Sequence, residues 1–117
     1  MTAAAWRPVP GWEGYEVSDD GRVRSWRMHG FAVGRRAVEP RVLAPWLQEG
    51  YRRVHLCAGR RRRRSSAVGA LVLEAFSSPR PAGHEARHRN RVKADDHLEN
   101  LAWRPRERRR RLEQAVA

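Results

Sequence analysis

The chain has 117 residues and a formal net charge of +12, from 25 Lys+Arg against 13 Asp+Glu. That length fits one domain or two very small ones. The single cysteine, Cys57, excludes an internal disulfide and a cysteine zinc site, and no apolar run approaches the ~20 residues that span a bilayer. Lys93 is the only lysine, so the charge is nearly all arginine. Arginine's planar fork binds phosphate bidentately and stacks on bases. Such a balance points to a polyanionic partner, nucleic acid first. Anionic lipid and a GC-rich genome are the alternatives, and GC bias does not explain the clustering of the arginines. The start, MTAAAWRPVPGW, has no long apolar core. The expectation is a soluble cytoplasmic protein, in a bacterial cell or on its nucleoid.

Residues 1–14 read as a lead-in punctuated by Pro8, Pro10, Gly11 and Gly14, with Trp6 and Trp12 capping a small sheet. Tyr15 to Trp26, YEVSDDGRVRSW, reads as a hairpin. Tyr15, Val17, Val23 and Ser25 alternate with polar residues, and Asp19-Asp20-Gly21 supplies a turn in which Gly21 takes a positive φ. Arg22 and Arg24 then lie on the face opposite Val23, either as solvated charge or as a phosphate contact. Residues 27–41 read as an irregular loop. Leu43 to Ala58 resumes the β pattern around a turn at Gly50. Arg60, Arg61, Arg62, Arg63 and Arg64 form an unbroken run, read as a hairpin tip and the start of the next strand. Like charges packed this closely repel one another without a counter-charge, which a phosphate backbone supplies. A solvated loop tip is the alternative.

Ser65-Ser66 offers an N-cap, and Val68, Leu71, Val72 and Phe76 follow at helical spacing. Pro79, Pro81 and Gly83 end that helix. Glu85 to His88 reads as a short strand, Asn90 to Asp96 as a polar loop, and Leu98 to Trp103 as a second strand. Pro105 opens a terminal helix over Arg106 to Ala117 whose surface is mostly arginine. Among the histidines, His97 is a weak candidate for metal or phosphate contact. His55 is expected on an exposed strand face, and His29 and His84 in loops.

Two sets of residues resemble a known architecture. Trp12-Glu13-Gly14-Tyr15-Glu16-Val17-Ser18 with Gly21-Arg22-Val23-Arg24-Ser25, continued by Leu43 to Leu56, resembles the nuclease-associated modular domain that precedes many phage and intron HNH endonucleases. Leu71 to Phe76, His88-Arg89-Asn90, Asp95-Asp96 and Glu99-Asn100-Leu101-Ala102-Trp103 resemble the HNH segment of that family. The resemblance implies an α+β fold. A small β-rich DNA-binding module, residues 1–64, would be followed by a ββα-metal (HNH-like) unit with a basic carboxy-terminal helix, residues 65–117. It implies an endonuclease that hydrolyses phosphodiester bonds of double-stranded DNA with a divalent metal, Mg²⁺ or Mn²⁺. The histidine at the His88 position is then the general base, and the asparagine at the Asn100 position orients it by a hydrogen bond.

The chain departs from the family at several positions. Arg87 stands where a metal ligand often precedes the histidine, and Arg109 where an asparagine often sits on the last helix. Gly69 replaces a histidine that commonly opens the preceding helix, and Arg91 replaces a glycine. Arginine carries only donors and cannot ligate a metal. Asp95 and Asp96, in the place of a paired asparagine, are the remaining candidate ligands. Arg22, Arg24, Arg60 to Arg64, Arg87 and Arg109 are the candidate nucleic-acid contacts. An alternative stands beside the enzyme: a DNA-binding protein descended from such nucleases, with a degenerate catalytic centre.

Overall fold

The computed structural model describes residues 4–27, 36–58 and 62–106. The first sheet is antiparallel, in the order β1 (Trp6–Pro8), β2 (Tyr15–Ser18), β3 (Val23–Arg27) and β4 (Arg36–Val42). The β2–β3 hairpin has the expected turn, with Val17 opposite Val23 and Tyr15 opposite Ser25. All four of these residues are buried, as their alternation requires. Gly21 takes φ +89° in the turn. The expected irregular loop over 27–41 is replaced in part by β4. Its sequence, RAVEPRV, carries Pro40 and leaves Val38 96% exposed, so it is an edge strand with no period to betray it.

The second sheet is β5 (Trp46–Gln48), β6 (Tyr51–Ala58) and β7 (Arg62–Ala67), again antiparallel. Glu49 and Gly50 both have positive φ, 54° and 87°, which matches a two-residue hairpin turn. Arg62, Arg63 and Arg64 open β7 opposite Ala58, Cys57 and Leu56. The expected cap at Ser65-Ser66 is not used, because both serines belong to β7. The helix begins behind Ala67 without a side-chain cap.

Helix α1 (Val68–Phe76) buries every residue from Val68 to Leu73. It is therefore a core helix, apolar around its first turns, rather than a one-sided surface helix. Val17, Leu56, Val68 and Val72 are fully enclosed around it, with Trp12, Tyr15, Val23, Val54 and Leu101 in the same cluster. Each fully buried aliphatic chain stabilises the fold by about 1.5–3 kcal/mol relative to exposure. The Tyr15 hydroxyl accepts a hydrogen bond from the Cys57 amide at 2.9 Å, tying the first sheet to the second. The third sheet is the hairpin of β8 (His84–His88) and β9 (Leu101–Pro105), with His88 opposite Leu101. α1 packs against this hairpin.

A 3-10 turn, Leu98–Asn100, precedes β9 where a strand is expected to start, and Pro105 is the last residue of β9. The expected basic helix lies almost wholly outside the described residues. No helix among the described residues is long and apolar enough to cross a membrane.

Candidate active site

His88 ends β8, and its side chain is 7% exposed. Its Nε2 lies 2.7 Å from Oδ1 of Asp96, whose side chain is 2% exposed. The other carboxylate oxygen of Asp96 is 3.4 Å from an Arg52 guanidinium nitrogen. With Asp96 as the carboxylate, Nε2 carries the proton and donates, so the lone pair is on Nδ1. The Tyr51 ring is tilted against His88 at 5.9 Å between centroids.

Two glycines make room for this pair. A Cβ on Gly69, near the start of α1, would stand 2.9 Å from Asp96 Oδ1 and 3.6 Å from His88 Nε2. A Cβ on Gly21, in the β2–β3 turn, would stand 2.9 Å from both the Cβ and the carbonyl oxygen of Asp96. Asp96 is thus clasped between the first hairpin and the central helix. The Leu98 amide adds a 2.8 Å bond to the Asp19 carbonyl in the same turn.

Asn100 is buried, but its hydrogen bonds go to the loop and not to His88. Its Oδ1 accepts from the Asn90 amide at 3.1 Å, and its Nδ2 donates to Asn90 Oδ1 at 3.0 Å and to the Asp95 carbonyl at 2.8 Å. Asn100 therefore braces the 89–96 loop, and the carboxylate of Asp96 holds the imidazole. Asp95 is separate from that pair. Its oxygens take His97 Nδ1 at 2.8 Å and Asn90 Nδ2 at 2.8 Å. Hydrogen bonds from His97 and then Asn90 hold its carboxyl below the usual range.

The divalent metal that the resemblance implies does not fit these donors. Both oxygens of Asp96 are engaged, one by an arginine, and those of Asp95 point to other partners. Among the described residues, no three His, Cys, Asp or Glu side chains gather as a cation site. Hard cations need several oxygens around one point, and the residue before His88 is an arginine.

The candidate nucleic-acid contacts divide into two groups. Arg22 pairs with Asp20 at 3.1 Å, and Arg24 with Glu16 at 2.8 Å, while both stack over Trp6. Arg87 pairs with Glu85 at 3.0 Å. Arg62, by contrast, lies over the Trp12 ring at 4.3 Å, and Arg62, Arg63 and Arg64 are exposed with no ion pair among the described residues. Arg60, Arg61 and Arg109 lie outside the described residues.

Sequence reasoning passed over Arg52, Tyr51 and Lys93 as neighbours of His88. Arg52 sits at the parity of Val54 and Leu56, which face the core, and that alternation was its only signal. Gly69 was visible as a departure, but its role in admitting Asp96 needs the fold.

Residues 5–57 match the NUMOD4 motif. The structure is similar to that of the HNH homing endonuclease I-HmuI, described as binding and cleaving DNA. The TM-score is 0.69 at 23% sequence identity, covering 96% of this chain and 59% of that one. This chain thus spans about three-fifths of the length of that endonuclease, and at this identity the likeness is one of fold. No match was found among curated proteins.

Proposed function

We propose that the protein binds double-stranded DNA and hydrolyses its phosphodiester bonds, with His88 as the general base. The observation that carries the reading is the buried Asp96–His88 pair, which fixes the tautomer and leaves Nδ1 as the basic atom. Nδ1 takes a proton from water as the water oxygen bonds to phosphorus. The ester P–O bond breaks, and the departing oxygen takes a proton from solvent. The logic is that of a carboxylate-oriented histidine in hydrolases generally. Asp96 is here the positioning residue. Binding rests on the exposed arginines of β7 and on the net charge of +12. The NUMOD4 match and the shared fold support a nuclease-related role.

A second reading, a DNA-binding protein with an idle centre, is favoured by one observation: the donors around His88 do not fit the metal that such nucleases use. A supercoiled-plasmid nicking assay in Mg²⁺, in Mn²⁺ and in EDTA separates the two. The expected result is nicking by the wild type and none by His88→Ala, with mobility-shift binding retained in both. A wild type that binds but nicks under none of the three conditions leaves the second reading standing.

A further inference from the structure

A cleft of about 270 Å³ opens beside His88, and its lining includes Arg52, Arg53, Arg80, Lys93 and Arg106. Only Glu85 and Asp96 oppose them in the lining. Glu85 is engaged by Arg87 at 3.0 Å and Asp96 by Arg52 and His88. The cleft therefore carries an excess of positive charge. Lys93 is held by the Glu49 carbonyl at 3.0 Å and by the Tyr51 ring at 4.9 Å, and Arg80 by the Trp103 ring at 5.3 Å. Carbonyls and aromatic faces orient a cation without cancelling its charge. Neither Lys93 nor Arg80 has an ion pair among the described residues.

A divalent cation here would be repelled by these charges. An anion would be attracted, and its bonds to them would be charge-assisted. We propose that the cleft is a phosphodiester-binding site that works without a divalent metal, its arginine and lysine side chains holding the non-bridging oxygens beside His88. The proposal deepens the DNA-binding reading above, but it can fail separately from it.

The test is NMR of the histidine-labelled full chain, following the His88 ring signals. Inorganic phosphate, in EDTA, is expected to shift them saturably, and a short duplex in EDTA to shift them at lower concentration. The duplex arm separates a backbone phosphate from a merely free one. Arg80→Gln and Lys93→Gln are both surface changes, with folding checked by circular dichroism. Each is expected to weaken the phosphate response about tenfold, the effect of losing one charge-assisted hydrogen bond. Mn²⁺ is expected to broaden no His88 signal selectively. Selective broadening by Mn²⁺, or a phosphate response that appears only with metal, overturns the proposal. So does duplex binding in a mobility shift that leaves His88 unmoved in EDTA, an outcome that spares the DNA-binding reading. A chain that answers phosphate but binds no duplex sinks the DNA-binding reading instead.

Discussion

The arginines of the β2–β3 hairpin and those of β7 have the same chemistry in opposite settings. Arg22 and Arg24 each face a carboxylate, Asp20 and Glu16, and lean on Trp6. Arg62, Arg63 and Arg64 stand exposed along β7 with no carboxylate among the described residues. The net charge counts both sets equally, and the physics does not. A guanidinium with a carboxylate partner has its charge matched within the fold, whereas one resting on an indole keeps it for an outside anion. The difference teaches that the grip must be assigned by the placement of counter-charge and not by the number of arginines.

The strongest test removes the buried carboxylate shared by the half-buried Arg52 and the buried His88. Asp96→Ala leaves the buried His88 without its partner and the half-buried Arg52 without its carboxylate, and a loss of about 3 kcal/mol is expected in urea unfolding, the low end for a broken buried pair. A change below 1 kcal/mol would mean that Asp96 does not hold the site together. Next comes the exposed set. Changing Arg62, Arg63 and Arg64 together to Gln is expected to weaken duplex binding for every sequence. The slope of log affinity against log salt should fall by about 0.9 for each phosphate lost. An unchanged slope would place the interface elsewhere. The paired set should do less. Arg22→Gln with Arg24→Gln is expected to leave the salt slope unchanged; the exposed Arg22–Asp20 pair should cost at most about 1 kcal/mol and the half-buried Arg24–Glu16 pair somewhat more. A fall in slope equal to that of the β7 variant would erase the distinction.

The smallest effect concerns Asp20. Burial raises its pKa, but hydrogen bonds from Arg22 and Ser18 outweigh that and leave it lowered. A lowered folded-state pKa stabilises above the ordinary carboxylate range and is lost as pH falls through it. The wild type should therefore lose stability in acid slightly faster than Asp20→Asn, measured by thermal melts from pH 6 down to about pH 3.

The parts of this fold written in a regular period were legible beforehand. Tyr15, Val17, Val23 and Ser25 alternate because one face is buried, and Val68 to Phe76 forms the expected helix. β4 was not legible, since an edge strand with Pro40 and an exposed Val38 owes its form to pairing with β3 and not to a buried face. Ser65 and Ser66 look like a cap in isolation, yet their pairing with His55 and Val54 draws them into β7. At the site, the family resemblance singled out His88, and the structure adds its buried partner. The orienting contact expected from Asn100 comes from Asp96, because the 3-10 turn at Leu98–Asn100 aims the amide into the loop. Asp96 reaches the imidazole through space that only the tertiary packing opens.

That space lies over Gly69, and it couples two positions far apart in the chain. Any side chain at 69 must occupy the volume that the Asp96 carboxylate now fills. A histidine placed at 69 would displace the Asp96 carboxylate and with it the hydrogen bond to His88. A variant changed only at 69 would then lose the Asp96 anchor, and a smaller residue at 96 would make the room. Positions 69 and 96 therefore accept change only together: the volume that a side chain takes at one must be given up at the other.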